Sequence, residues 1–104
     1  MASSKGYLEF ILEQLAPLGD VTSRAMMGEY ILYYRGKIVG GIYDDRLLVK
    51  PTPAAERCLP NAPREKPYEG AKEMLLVEDV DDRAALAALL EAMVEELPEG
   101  RKRK

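Results

Sequence analysis

Residues 26–50, MMGEYILYYRGKIVGGIYDDRLLVK, limit the fold more than any other stretch of the chain. Three apolar runs, Glu29 to Tyr34, Lys37 to Tyr43 and Arg46 to Lys50, are separated only by Arg35-Gly36 and Asp44-Asp45. Connections this short join antiparallel strands, because a parallel pair needs a crossover of roughly a dozen residues or more. The stretch therefore predicts an antiparallel meander. Glycine and aspartate suit its turns, since both tolerate the positive φ angles of tight hairpins.

The flanks read as cover for that sheet. Ser3 or Ser4 is placed to cap a helix whose Tyr7, Leu8, Ile11, Leu12 and Leu15 form one apolar stripe ending near Pro17. Val21 to Met27 reads as a first strand, and Gly28 supplies a bend or bulge after it. Gly40 and Gly41 sit inside the third strand, where each weakens it by roughly 0.5–1 kcal/mol relative to alanine. Such a pair implies close packing: a helix crossing within the same domain is the preferred reading, and a partner's backbone is the other.

Beyond the meander, Thr52 and Pro53 open a short helix as N-cap and first helical residue. Pro60 to Gly70 is the longest loop, and it alone mixes Arg64, Lys66 and Tyr68. Lys72 to Val77 reads as a fifth strand. Leu86, Leu89, Leu90, Met93, Val94 and Leu97 then recur at three and four residues, the strongest helical pattern in the chain, which Pro98 ends. The order predicts an α+β domain over residues 1–100, an antiparallel β-sheet of about five strands with helices packed on one face, followed by a basic tail at 101–104.

Chemistry is sparse in this composition. The 104 residues include no histidine, which removes the commonest general base and the commonest metal ligand together. The single cysteine, Cys58, excludes an intrachain disulfide and is expected to be a small buried or half-buried residue of the short helix. Asp79, Asp81 and Asp82 lack the spacing of a calcium loop and are read as helix-start carboxylates. The glycines at 28, 36, 40 and 41 match no phosphate-binding pattern. No catalytic, metal or cofactor site is expected, and the chain is read as not an enzyme.

The net charge of −3 hides a division. Residues 21–72 carry nine basic and six acidic side chains, whereas residues 73–100 carry one and nine. A mildly basic sheet with Tyr30, Tyr33, Tyr34 and Tyr43 has two readings, a base-stacking platform or ordinary strand tyrosines. No apolar run reaches the ~20 residues that span a bilayer, and MASSKGYLEF lacks a signal-peptide pattern, so no membrane association and a cytoplasmic location are expected.

The run RAMMGEYILYYRGKIVGGIYDDRLLVK, followed by YEGAKEMLLVEDVDDRAALAALLEAM, resembles the N-terminal domain of the TfoX/Sxy family, named for regulators of natural competence in bacteria. The matching features are Arg24-x-Met26-x-Gly28, the Gly36 turn, Asp44-Asp45-Arg46-Leu47 with Lys50, and Tyr68-x-Gly70-Ala71-Lys72 with Met74. The chain departs from the family at Met27, where phenylalanine is usual, and at Glu29 and Ile31, where glycines often stand. Full-length regulators carry a second domain, so the resemblance implies a stand-alone N-terminal domain. It also implies a twisted antiparallel sheet with helices, and it carries over no catalytic residue.

The expected function is a non-enzymatic regulatory or adaptor domain that acts by protein contact, with the transcription machinery as the partner the family name suggests. Its expected surface is the sheet face left bare by helices, with Tyr30, Tyr33, Tyr34 and Tyr43 together with Arg24, Arg46, Lys50 and Tyr68, and with the loop Pro63 to Lys72 beside it. Self-association as a homodimer through that face is a further expectation. The alternative is direct nucleic-acid binding by Arg24, Arg35, Lys37, Arg46, Lys50 and the tail.

Overall fold

The computed structural model describes residues 4–26, 28–67 and 69–97. Strands β1 (Val21–Met26), β2 (Glu29–Tyr34), β3 (Lys37–Ile42) and β4 (Leu47–Val49) form the expected meander. A two-residue strand β5 (Arg64–Glu65) and β6 (Met74–Leu76) complete a six-stranded, wholly antiparallel sheet of order β1-β2-β3-β4-β6-β5. The additional strand, β5, lies within the segment expected to be loop. Its apolar signal is absent because β5 is an edge of two charged residues held by pairing with β6.

Both hairpin turns have positive φ at both central residues. The angles are 55° and 78° at Arg35-Gly36, and 55° and 57° at Asp44-Asp45. That is the turn whose twist matches a two-residue antiparallel hairpin. Tyr43 and Arg46 close the second turn with reciprocal amide bonds of 2.9 and 3.0 Å. A bulge falls in the β2–β3 pair: Leu32 faces Gly40 while Tyr33 faces Ile38, and Val39 between them turns into the core.

Three helices, α1 (Lys5–Gln14), α2 (Pro53–Cys58) and α3 (Arg83–Val94), pack on one side of the sheet. Each begins with the cap its sequence supplies. Ser4, Thr52 and Asp82 accept from the amides of Tyr7, Ala55 and Ala85 at 3.0–3.1 Å. A short 3₁₀ turn, Ala16–Leu18, follows α1 and leads into β1. The stripe on α3 is buried in full, against Leu32, Tyr34, Ile42, Val49 and Leu75 of the sheet and Ile11 and Leu15 of the first helical segment.

Polar ties lock this layer. Buried Gln14 donates to the Val80 carbonyl at 2.8 Å and accepts from Arg83 at 2.9 Å, so its amide is satisfied. Lys37 reaches across from β3 to the Val94 carbonyl at 3.0 Å, a cation at the negative end of α3. Glu96 accepts from the Ala54 amide at 2.8 Å and joins α3 to α2.

Gly40 and Gly41 do mark a close approach: α3 packs against their strand, but the atoms nearest to an added side chain belong to other parts of the sheet. A side-chain carbon on Gly40 would strike the Leu48 carbonyl oxygen and come within 2.8 Å of the Val49 Cα. One on Gly41 would lie 2.6 Å from the Tyr30 carbonyl oxygen and 2.7 Å from the Tyr43 ring. The neighbours are the flanking strands and a folded-over tyrosine. The strands on either side of the bulged β3 set the tightest limit on what these two positions can carry.

Candidate functional site

The helix-free side of the sheet is the candidate surface, and strand alternation decides who stands on it. Tyr33 pairs with Thr22 and Ile38, so these three share the free side with Arg24, Ile31 and Leu48. Leu76 opposite Leu48, and Met74 two residues before it, continue the strip on β6. Leu48 is fully buried although it faces away from the helices. The side is therefore not flat and bare.

Tyr43 explains part of that cover. Its ring lies over Gly41, and the residue is only 8% exposed. Beside it a cleft of about 390 Å³ is lined by Ile38, Tyr43 and Met74, with Lys50 and Lys72 and the prolines 51 and 67 around it. A second, shallower depression of about 360 Å³ lies among Thr22, Ser23, Arg24, Tyr33 and Gly36. The Tyr33–Ile38 pair joins the two. Among the described residues, Arg24, Lys50 and Lys72 form no ion pair. The surface is thus an apolar strip flanked by cations outside any ion pair of the described residues, with Glu73 also lining the larger cleft.

The structure brings together only part of the expected set. Tyr33, Tyr43, Arg24 and Lys50 border the two depressions. Tyr30 packs against the core on the helix side, and Tyr34, 1% exposed, is within it. Residues 30 and 34 differ from 33 by an odd number, so period two places them on the opposite face. Arg46 is ion-paired to Glu65 and donates to the Tyr43 carbonyl at 3.1 Å, which makes it a tie across the sheet end rather than a docking cation. Tyr68 and the tail at 101–104 lie outside the described residues.

Two more cations of the nucleic-acid reading are also engaged. Lys37 points to α3, and Arg35 stacks on the Tyr34 ring at 5.0 Å. Cys58 is exposed at the end of α2, contrary to expectation, because the short helix buries only Ala54 and Ala55. Among the described residues no three acidic or thiol groups converge to hold a metal ion. No described helix is long and apolar enough to cross a membrane.

Sequence reasoning missed Ile31, Ile38 and Met74, and reached Lys72 only as the end of the loop Pro63 to Lys72. The first two were accessible from alternation alone, since they share parity or pairing with Tyr33. Lys72 and Met74 reach the cleft through the β5–β6 turn, which no periodicity announces.

The chain matches the model of the TfoX N-terminal domain over residues 13–96, which takes in the whole sheet, α2 and α3. It belongs to that family. Among its relatives is a protein of Spirochaeta aurantia described as an uncharacterised 12.7 kDa protein in the trpE 5′ region. The two are 38% identical over 84 residues, covering 81% of this chain and 73% of the relative. No solved structure matches the chain. Family membership and the antiparallel α+β architecture agree, and both candidate depressions lie within the matched residues.

Proposed function

We propose that this domain is a non-enzymatic regulatory module that binds a protein through the helix-free side of its sheet. Membership of a regulatory-domain family supports the general role. The observation that carries the finer reading is the joined strip of Ile31, Tyr33, Ile38 and Met74, half-buried side chains with none of the described helices over them. Apolar side chains flanked by Arg24, Lys50 and Lys72 make a contact surface with an apolar centre and a charged rim. Among the described residues nothing at the site combines a nucleophile, a base and an orienting group, so binding is the reading it favours.

The test is photocrosslinking from a reactive residue placed at Ile31, in cells, with Glu91 on α3 as the control position. A protein adduct at residue 31 that disappears in an Ile38→Asp chain of unchanged circular dichroism is the expected result. No adduct, or one indifferent to Ile38→Asp, overturns the proposal. The three free cations favour one second reading, nucleic-acid binding. Anisotropy of labelled duplex DNA decides it: saturable binding that weakens with salt and with Arg24→Ala or Lys50→Ala replaces the protein-contact reading.

A further inference from the structure

The sheet ends in two unlike edges. β5 is two residues long, follows Pro63, and has Arg64 ion-paired to Glu56 of α2 at 2.7 Å. β1 is six residues long, contains neither proline nor glycine, pairs with β2 without a bulge, and has no strand on its outer side among the described residues. Edges of that length are normally shortened, bulged or covered, because a row of unpaired amides and carbonyls templates another strand.

Which groups are unpaired follows from the ladder. The Arg35 amide donates to the Asp20 carbonyl at 3.0 Å, so Asp20, and by alternation Thr22 and Arg24, turn their backbone groups toward β2. Val21, Ser23 and Ala25 turn theirs outward. The Val21 amide is already bonded to the Gly19 carbonyl at 2.8 Å. The Ser23 and Ala25 amides and the carbonyls of all three are left for a partner strand.

We propose that β1 pairs antiparallel with β1 of a second copy, about a two-fold axis through Ser23. Residues directly opposite one another in an antiparallel pair share a face, so the axis must pass through a residue and not between two. Centring on Arg24 sets two guanidinium groups opposite each other. Centring on Thr22 draws in Gly19, whose φ of 93° leaves the strand conformation. Centring on Ser23 keeps the bonded positions within the strand, Ser23 with its counterpart and, through the Ala25 amide to the Val21 carbonyl, Ala25 with Val21.

That register is also complementary in charge. Exposed Arg24, opposite Thr22, falls diagonal to Asp20 of the second copy on one side and to the second Arg24 on the other; the carboxylate is within reach of the long side chain, the symmetry repeats that pair, and the two guanidinium groups are no longer directly opposed. Met26, at 46% the one exposed large hydrophobic residue among those described, closes the same edge and gains cover. The helix-free sides of both copies then form one continuous surface. The edge pairing draws Arg24 from the rim of that surface but uses none of Ile31, Tyr33, Ile38 and Met74 at its centre.

Sedimentation velocity of the full chain over a concentration series tests the proposal, with a concentration-dependent dimer expected. Ser23→Pro removes only an outward-facing amide, a position where an edge strand accepts proline, and should give a folded monomer. Should that variant unfold, the charge exchange still decides: Asp20→Lys and Arg24→Glu should each weaken the dimer several-fold, and together restore it. Ile38→Asp, which addresses the proposed protein-contact surface, should leave the dimer intact. A chain monomeric at every concentration, a dimer that persists in folded Ser23→Pro, or one indifferent to both charge changes overturns the proposal.

Discussion

Tyr33 and Tyr34 are neighbours in sequence with opposite fates. Tyr34 is sealed in the core on the helix side, whereas Tyr33 stands half-buried on the helix-free side between two depressions. The same contrast runs along the sheet, Leu32 against Ile31 and Val49 against Leu48. Leu48 is the instructive case, since it is fully buried on the side without helices. Its outward neighbourhood includes Gly41 and the Tyr43 ring laid over it, so that side buries part of itself with a single aromatic residue. One face is organised by secondary-structure packing and the other by local folding-over, which leaves clefts at its margins.

The sharpest way to break this comparison is to truncate both tyrosines. Tyr34→Ala removes a fully enclosed ring and should cost roughly 3–5 kcal/mol. Tyr33→Ala, at a half-exposed position away from the core, should cost about 1 kcal/mol or less. Urea denaturation midpoints of the two variants measure the difference directly. Equal losses would mean that the helix-free side is as structurally committed as the other and has little surface to spare for a partner.

A second effect separates backbone demands from side-chain demands. Gly40→Ala places a methyl group against the Leu48 carbonyl and the Val49 Cα, backbone atoms that cannot swing aside. A loss of about 3 kcal/mol is expected by analogy with overpacked cores, although the substitution adds only one carbon. Gly36→Ala meets no neighbour, and its cost arises from φ of 78° alone. It should be the milder of the two in the same denaturation assay. A reversed order would show that the β3–β4 approach relaxes freely and that the sheet is not held by strand contact at this point.

Much of this fold was legible because its signals are local. The α3 stripe from Leu86 to Leu97 is periodic and is buried as periodicity demands, and Thr52-Pro53 and the two hairpin turns carry their own chemistry. What escaped was long-range. Gly40 and Gly41 announced a close approach, but whether a helix or a strand makes it depends on how the sheet coils. Arg46 looked like a docking cation until Glu65, 19 residues away, was placed beside it. For the site, tyrosine content misled where alternation would have served: among residues 30, 33 and 34 only one can face the side that 31 faces. The cleft itself needs residues 38, 43, 50 and 74 brought together by three turns, which no window of sequence contains.

The smallest effect concerns the helix layer alone. Tyr7 in α1 is half-buried against the core, and its hydroxyl ionises above the ordinary value of 10.0, chiefly because burial disfavours the phenolate and secondarily because Asp45 and Asp81 are nearby. A raised value in the folded chain means that the folded state holds this proton more tightly than the unfolded one. The stabilisation is therefore fully present below pH 10.0 and is lost as pH rises from there through the folded value. Stability should accordingly fall across the alkaline limb, and Tyr7→Phe, which keeps the ring and removes the proton, should make that fall shallower. Urea midpoints followed into the alkaline range for the two chains measure it. Identical slopes would mean that α1 releases Tyr7 to water before the phenol titrates, and would mark the first helix as the loosest part of the covered face.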